Sequence, residues 1–186
     1  MSYCNVIKEM QVGERRSLHE NYHNYHYGFP LHDDNELFGR LILEVFQAGL
    51  SWETILKKEE NFKKAFQNYD IKKIACFGKK DFDALIQNAG IIRNKLKINA
   101  TIYNAQKIVE LQNEYGSFEK WLASNHSLVL QDWVKLFKKS FKFTGPEIVN
   151  EFLMSIGYLP GAHEEGCPVY KEILFAKPMW NDAKQI

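Results

Sequence analysis

The feature that most restricts the fold is the spacing of apolar residues, which follows the period of an α-helix. From about Asn35, apolar side chains recur at Leu37, Leu41, Val45 and Ala48, three or four positions apart, as on one face of a helix. The alternation of polar and apolar residues that marks a half-buried strand is hard to find. The pattern therefore predicts an all-α protein with few strands or none.

Capping residues divide this pattern into separate helices. Ser51 is a predicted N-cap for WETILKKEENFKKAF, Asp81 for DFDALIQNAG, and Gly116 is a predicted end for the long helix IIRNKLKINATIYNAQKIVELQNEY. Pro146 suits the first position of a helix that ends before Gly157. The pattern is weak over residues 1–33 and 158–186, which we expect to be irregular tails of a single domain (1–186) with one body or two small helical lobes.

Composition and cysteine usage indicate an ordinary cytoplasmic protein. Of the 186 residues, 45% are hydrophobic and 25% are charged, as in globular domains. The N-terminus lacks an apolar signal region, and no apolar run approaches the roughly 18 residues needed to span a bilayer. Three widely spaced cysteines (Cys4, Cys76 and Cys167) argue against a disulfide framework.

Two stretches of the chain carry basic residues and no acid, although the net charge is only +1. They are residues 84–109 and 133–146. Such stretches suit contact with phosphate, but the solvated faces of helices show the same pattern. Charge alone leaves both interpretations open.

A carboxylate lies inside the most apolar helix of the chain. The segment LILEVFQAGLSW (residues 41–52) contains Glu44, and burying an unpartnered carboxylate costs several kcal/mol. Glu44 therefore either meets a ligand or is satisfied by a nearby Arg or Tyr.

The two tails contain most of the candidate metal ligands. They are Cys4, three histidines (His19, His23 and His26), and the pair His163 and Cys167. A His-x3-Cys spacing can place both side chains on one ion, and a Cys2His2 zinc would tie the tails together as a structural site. Taken alone the pair is a weak signal, because a solvated histidine and a buried cysteine explain it too.

Several segments in series resemble the bacterial 3-methyladenine DNA glycosylase I family. They are YHNYHYGFP, ILEVFQAGLSWETILKKEENFKKAF, QNAGIIRNKLKINATIYNA, FKFTGPEIVNEFLMSIG and HEEGC, in this order. The resemblance runs from Cys4 to about Cys167. It implies an all-α helix-hairpin-helix DNA glycosylase fold, and an enzyme that hydrolyses the N-glycosidic bond of 3-methyladenine in a flipped nucleotide.

The resemblance also implies a ligand set for the metal. The family's structural zinc matches Cys4, His23, His163 and Cys167 here. Whether His19 or His26 takes the place of His23 is left open.

The base pocket implied by the resemblance contains a carboxylate and aromatic rings. Glu44 and Trp52 match the family's base-contacting Glu and Trp, Tyr22 matches its pocket Tyr, and Tyr27 keeps an aromatic at the pocket rim. Glu44 would act through binding and through its charge. Alternatively, Glu44 is a structural carboxylate and Trp52 packs in the core. YLPGAH offers no acid before His163, so no catalytic Asp is assigned. No lysine nucleophile is indicated, so we expect a monofunctional hydrolase.

The segment KKSFKFTGPE resembles the family's DNA-binding hairpin. Lys142, Thr144 and Gly145 are the predicted DNA contacts, with Gly145 forming the tight turn and Pro146 starting a helix whose free N–H groups meet a phosphate. A plain connection between two helices is the alternative.

Departures from the family pattern affect the pocket rim. Val6 stands where the family has Trp, Tyr27 stands where it has another Trp, and Val45 and Phe46 are bulkier than usual. The expected partners are double-stranded DNA with alkylated adenine and free 3-methyladenine as product, with the protein a monomer. The alternative is a zinc- and DNA-binding member with altered lesion specificity or lost catalysis.

Overall fold

The computed structural model describes residues 2–182, and all regular structure in that range is helical. The α-helices are α1 (Tyr3–Glu9), α2 (Glu14–Tyr25), α3 (Asp34–Gln47), α4 (Trp52–Leu56), α5 (Glu59–Ala65), α6 (Ile71–Ala75), α7 (Lys79–Gln87), α8 (Lys95–Tyr115), α9 (Phe118–Ser124), α10 (Leu130–Ser140), α11 (Pro146–Ser155), α12 (Pro168–Phe175) and α13 (Met179–Asp182). A 3-10 turn, Gln67–Tyr69, joins α5 to α6. The prediction of an all-α protein is confirmed, whereas the single domain stays a prediction.

The prediction of irregular tails is wrong, because helices occupy much of both. At the N-terminus α1 begins after Ser2, whose side chain accepts a hydrogen bond from the amide of Asn5. The next helix, α2, buries His19, Tyr22 and His23. Since these are polar or aromatic side chains, the buried face of α2 does not stand out as apolar in the sequence. Between residues 158 and 182 the chain forms α12 and α13, and residues 183–186 of the predicted tail lie outside the described range.

Helix boundaries agree with most of the capping signals. The Ser51 side chain accepts from the amide of Thr54, Gly116 adopts a φ of 90° after α8, and Pro146 opens α11. Three details differ. The segment after Ser51 forms two helices, α4 and α5, and α8 starts at Lys95 after its N-cap Asn94, not at Ile91. Helix α7 starts at Lys79, so Asp81 lies in its first turn and accepts a hydrogen bond from the amide of Gly78.

Helix α3 is the centre of the core. Its ten residues from Leu37 to Phe46 are all buried, which explains why the segment has no polar face. Its aromatic side chain Phe46 packs with Phe62 and Phe66 of the α5 region, with ring centroids 4.7 and 5.9 Å away. Any polar group on α3 must therefore find a partner inside the protein or at a cavity.

A buried lysine of α8 holds the end of α3. The Nζ atom of Lys97 donates hydrogen bonds to the backbone oxygens of Phe46 (2.9 Å) and Ala48 (2.6 Å). Lys97 is only 4% exposed, so it is a helix-capping group and is not available to phosphate. Among the described residues, no helix combines the length and the apolar character needed to cross a membrane.

Candidate functional site

Glu44 lies on the wall of a cavity of about 780 Å³. Helix α3 brings it there, and the other walls come from the N-terminal helices, from α4 and from α11. The residues with polar or aromatic side chains around it are Ser2, Tyr3, Tyr22, Tyr27, Gln47, Trp52, Glu147 and Glu151. The structure thus brings together the four residues that the sequence assigned to the base pocket, Tyr22, Tyr27, Glu44 and Trp52.

The guanidinium nearest to Glu44 along the helix is engaged elsewhere. Arg40 is one turn earlier on α3, and its Nη1 donates to the hydroxyl of Tyr22 at 2.9 Å and to the backbone oxygen of His26 at 3.3 Å. Within residues 2–182, Glu44 forms no ion pair shorter than 4.0 Å and its carboxylate accepts no hydrogen bond. The internal arginine therefore does not neutralise Glu44 by direct contact.

This environment changes the proton affinity of the carboxyl group. Burial, and then the negative charge of Glu151, raise the pKa of Glu44 to about 8, while the positive charge of Arg40 opposes the rise. A carboxyl group whose ionisation is costly in its own surroundings gains most from a positively charged ligand. Strong perturbation in a cleft is characteristic of functional sites.

Aromatic rings form the wall next to Glu44. The ring centroids of Tyr22 and Trp52 are 4.9 Å apart at an interplanar angle of 59°. Tyr22 also receives the guanidinium of Arg40 over its ring, 5.0 Å from the centroid. The arrangement fixes both rings at the cavity, so that a flat, apolar-faced ligand can stack there.

A second carboxylate, which the sequence analysis did not identify, enters the same cavity from α11. The hydroxyl of Tyr27 donates a hydrogen bond to Oε2 of Glu151 at 3.0 Å. The segment just before His163, YLPGAH, contains no acid, and Glu151 lies earlier in the chain, on α11. The available signal was an acid among the apolar positions of EIVNEFLMSIG, and that pattern is too common to single out Glu151.

The four predicted metal ligands also lie together and are buried. Sγ of Cys4 is 3.4 Å from Nε2 of His23 and 3.7 Å from Nδ1 of His163. Sγ of Cys167 is 3.7 and 3.5 Å from the same two nitrogens. A tetrahedral zinc bound by sulfur and nitrogen requires S–N separations of about 3.6 Å. All four ligand atoms fall within 4.8 Å of one another.

Hydrogen bonds to the second ring nitrogen orient both histidines. Nε2 of His163 is 2.8 Å from the backbone oxygen of Tyr27, and Nδ1 of His23 is 2.6 Å from Oδ1 of Asn24. Each ring therefore turns its other nitrogen toward the two sulfurs, as histidine ligands of metals do. His19 instead places Nδ1 2.8 Å from the hydroxyl of Tyr3, and it is not part of the group.

The protonation of this group suits a metal ion. Burial lowers the pKa of His163 to about 4, which keeps the imidazole neutral and its lone pair free. Burial raises the pKa of the Cys4 thiol, so a cation is needed to hold two thiolates there. Donor types, distances and orientation all fit, and the Cys2His2 group can hold a metal ion.

The predicted DNA-binding hairpin connects α10 to α11, and two details differ from the prediction. Thr144 is 4% exposed, and its hydroxyl donates to the backbone oxygens of Phe137 and Phe141. Gly145 has an ordinary φ of −73°, whereas the left-handed residue is Phe143 with a φ of 60°. The tight turn therefore depends on Phe143. A Cβ at Gly145 would meet nothing within 4 Å, which leaves open space at the start of α11.

The hairpin is anchored by a buried amide that the sequence analysis missed. Asn104 of α8 donates from Nδ2 to the backbone oxygen of Lys142 (3.0 Å) and accepts from its amide (2.8 Å). The Lys142 ammonium lies 4.0 Å from the ring centroid of Tyr103. The basic side chain is thus exposed at a fixed place beside the hairpin.

Solved structures share this architecture. The structure of 3-methyladenine DNA glycosylase I from Staphylococcus aureus, solved to explain recognition of 3-methyladenine, matches with a TM-score of 0.75 at 33% identity, covering 82% of this chain and 90% of that chain. A solution structure of 3-methyladenine DNA glycosylase I matches with a TM-score of 0.71 at 29% identity, covering 90% of this chain and 100% of that chain.

Sequence comparisons give the same relationship. The DNA-3-methyladenine glycosylase of Haemophilus influenzae is 34% identical over 176 residues, which are 84% of this chain and 94% of the relative. DNA-3-methyladenine glycosylase 1 of Escherichia coli is 35% identical over 172 residues, 82% and 91% of the two chains. The family model described as methyladenine glycosylase matches residues 12–135. With its buried carboxylate in an aromatic cavity and its Cys2His2 group, the chain belongs to the methyladenine glycosylase family.

Proposed function

We propose that this protein binds alkylated double-stranded DNA, flips a 3-methyladenine nucleotide into the cavity beside Glu44, and hydrolyses its N-glycosidic bond. Membership of the family makes the chain a DNA-3-methyladenine glycosylase of base-excision repair. The flipping step, the roles of single residues and the identity of the metal are the proposal. The observation that carries it is a buried carboxylate without an arginine partner at the wall of an aromatic cavity.

Recognition depends on the positive charge of the damaged base. In a nucleotide, adenine methylated at N3 carries a positive charge. A partly desolvated carboxylate attracts this cation far more strongly than a carboxylate in water does. Trp52 and Tyr22 provide aromatic faces for stacking, and cation–π attraction adds about 1–2 kcal/mol. Unmodified adenine is neutral, so it gains neither the attraction to the carboxylate nor the cation–π attraction. This explains how the cavity rejects it.

Hydrolysis of the N-glycosidic bond needs little direct participation by the protein. The bond from C1′ of the sugar to N9 of the base breaks with its electron pair moving to the base, which becomes neutral. The sugar is left as an oxocarbenium-like cation, and water adds to C1′ and releases a proton. Glu44 stabilises the positive charge before and during this change. No covalent intermediate with the protein is needed.

Zinc in the Cys2His2 group would serve structure. Cys4 and His23, from α1 and α2, would be joined through the ion to His163 and Cys167, which precede α12. Four protein ligands leave no coordination position for water, so the ion takes no part in the hydrolysis. Its effect on the pocket is indirect, because α2 also carries Tyr22.

DNA binding is assigned to the hairpin between α10 and α11. Lys142 supplies positive charge, and the open start of α11 at Gly145 allows a phosphate to approach free backbone N–H groups. The internal hydrogen bonds of Thr144 assign its side chain to holding the turn. We expect a monomer that works in the bacterial cytoplasm.

The test is a survey of the bases released from methylated duplex DNA, measured by mass spectrometry. Release of 3-methyladenine at a rate well above that of a protein-free blank is expected. Release of another alkylated base in its place would favour altered lesion specificity, which the departures at Val6 and Tyr27 motivate. Salt-sensitive DNA binding without any base release would favour a binding protein.

A further inference from the structure

We propose that Glu151 is a second base-binding carboxyl group, which acts with Glu44 to select an adenine-type base through its amino group and adjacent ring nitrogen. The inference rests on the proposed function of the cavity and adds a specificity-determining residue to it. It is drawn from the position of Glu151 and from the groups around it.

Glu44 and Glu151 reach one cavity from two different helices. Glu44 projects from α3 and Glu151 from α11, and both line the same 780 Å³ space. They are close enough for the charge of Glu151 to raise the pKa of Glu44. Two carboxyl groups facing a shared, partly dry space compete for one proton.

Tyr27 fixes the orientation of Glu151. Its hydroxyl donates to Oε2 at 3.0 Å, while its backbone oxygen is held by the ring of His163. This leaves Oε1 of Glu151 without a hydrogen-bond partner in residues 2–182. An oriented carboxyl oxygen at a cavity wall is suited to accept a hydrogen bond from a ligand donor.

The pair matches the edge of an adenine-type base. Such a base presents an amino group, which donates, next to a ring nitrogen, which accepts. An ionised carboxylate accepts from the amino group, and a protonated carboxyl group donates to the ring nitrogen. Burial raises the pKa of Glu151, and it raises the pKa of Glu44 to about 8, which favours one proton on the pair near neutrality. A guanine-type base presents an oxygen and a ring N–H at these positions, so it fits the pair only with the proton moved to the other carboxyl group.

Binding of free 3-methyladenine to the full chain tests this assignment, together with kcat and KM for release from methylated duplex. Glu151→Gln should weaken binding of the free base by about 10- to 100-fold, the loss expected for one hydrogen bond to a charged group. KM should rise with it. The matched control is Glu114→Gln, which removes an exposed carboxylate at the end of α8 and lies outside the cavity lining. Its affinity and KM should equal those of the wild type.

The pH profile separates a base contact from a structural role. Glu151 and its own-helix neighbour Glu147 share the cavity with Glu44 of α3 and with the phenols of Tyr3, Tyr22 and Tyr27. The charge of Arg40 also acts on Glu44. Among these, the charge of Glu151 raises the pKa of Glu44, and the charge of Arg40 lowers it. In Glu151→Gln the pH midpoint for base binding should therefore move to lower pH. A midpoint and an affinity equal to those of the wild type would overturn the proposal.

Two further measurements keep the result decisive. If Glu151→Gln lowers the melting temperature enough to obscure binding, Glu151→Asp keeps the charge but withdraws it by one methylene. A smaller loss of affinity is then expected, and wild-type affinity overturns the assignment. If the wild-type protein itself releases no 3-methyladenine, the proposed function fails. If it releases the base and both Glu151 variants match it, only the role of Glu151 fails.

Discussion

Arg40 and Glu44 are one helical turn apart on α3, yet they form no ion pair, because the Arg40 guanidinium binds the Tyr22 hydroxyl at 2.9 Å. Arg40 thereby fixes a ring of the aromatic wall and leaves the carboxyl group facing the cavity. A cation placed so close still favours ionisation of Glu44, but burial and the charge of Glu151 outweigh it. The pocket therefore favours a positively charged ligand, and the buried carboxyl group of Glu44 lowers the stability of the fold.

Replacing Glu44 with Gln should reduce activity without disturbing the fold. The change removes the charge that meets the cationic base, and we expect kcat/KM for 3-methyladenine release to fall by roughly 10- to 100-fold, or about 1.5–3 kcal/mol. Metal content and the melting temperature at neutral pH should not fall. Activity equal to that of the wild type would show that Glu44 is structural.

The same variant should alter the pH dependence of stability. The pKa of Glu44 rises from its ordinary 4.5 to about 8 in the fold, so the folded state holds the proton more tightly than the unfolded chain. The contribution of Glu44 to the free energy of unfolding should therefore decline as pH rises from about 4.5 to about 8, by on the order of a few kcal/mol. Glu44→Gln cannot titrate, so the difference in urea-unfolding free energy between the wild type and the variant should change over this pH range. Parallel curves for the two proteins would contradict the raised pKa.

Loss of a ligand in the Cys2His2 group should release the metal and destabilise the protein. Cys167→Ser removes one of the four ligands, and we expect less than one equivalent of bound metal and a clear drop in melting temperature, since binding free energy contributes to folding. Cys76→Ser is the matched control, because Cys76 is exposed and outside the group. One full equivalent of zinc in Cys167→Ser, measured by elemental analysis, would reassign the site.

Lys97→Met should destabilise the end of α3. The variant leaves the backbone oxygens of Phe46 and Ala48 without their donor, which costs about 2–4 kcal/mol for two buried acceptors. The exposed neighbour Lys95 provides the control variant Lys95→Met, which should change the free energy of unfolding by less than about 0.5 kcal/mol. Chemical denaturation of the two variants side by side measures the difference.

Two substitutions test the hairpin. Gly145→Ala should fold normally, because the added Cβ meets nothing within 4 Å, but it should weaken DNA binding if a phosphate approaches there. Lys142→Ala should lower the slope of log affinity against log salt by about 1, as expected for one lost phosphate contact. The exposed Lys171 on α12 gives the control, Lys171→Ala. Unchanged affinity in both hairpin variants would place the DNA elsewhere.

Local patterns in the sequence were sufficient for the fold class, for most helix boundaries and for several members of the candidate site. Caps such as Ser51 and Pro146 act within one helical turn, so they can be read from neighbouring residues. Glu44 could be identified because an acidic residue in an otherwise apolar helix needs a partner inside the protein or a ligand. The Cys2His2 group was found through its resemblance to a family, since its halves are distant in sequence.

Only the tertiary structure decided which polar groups serve each other. Tyr27 and Glu151 are 124 positions apart, and Lys97 and Phe46 are 51 apart, so no local period connects them. Lys97 and Thr144 donate hydrogen bonds to buried backbone carbonyls, and the fold places Glu151 in the cavity. Residue type alone predicts none of these partners, because a buried hydrogen bond depends on the packing of helices that form it. The sequence supplies the polar and charged side chains, and the packing of α3, α8 and α11 determines the distances between them and their partners.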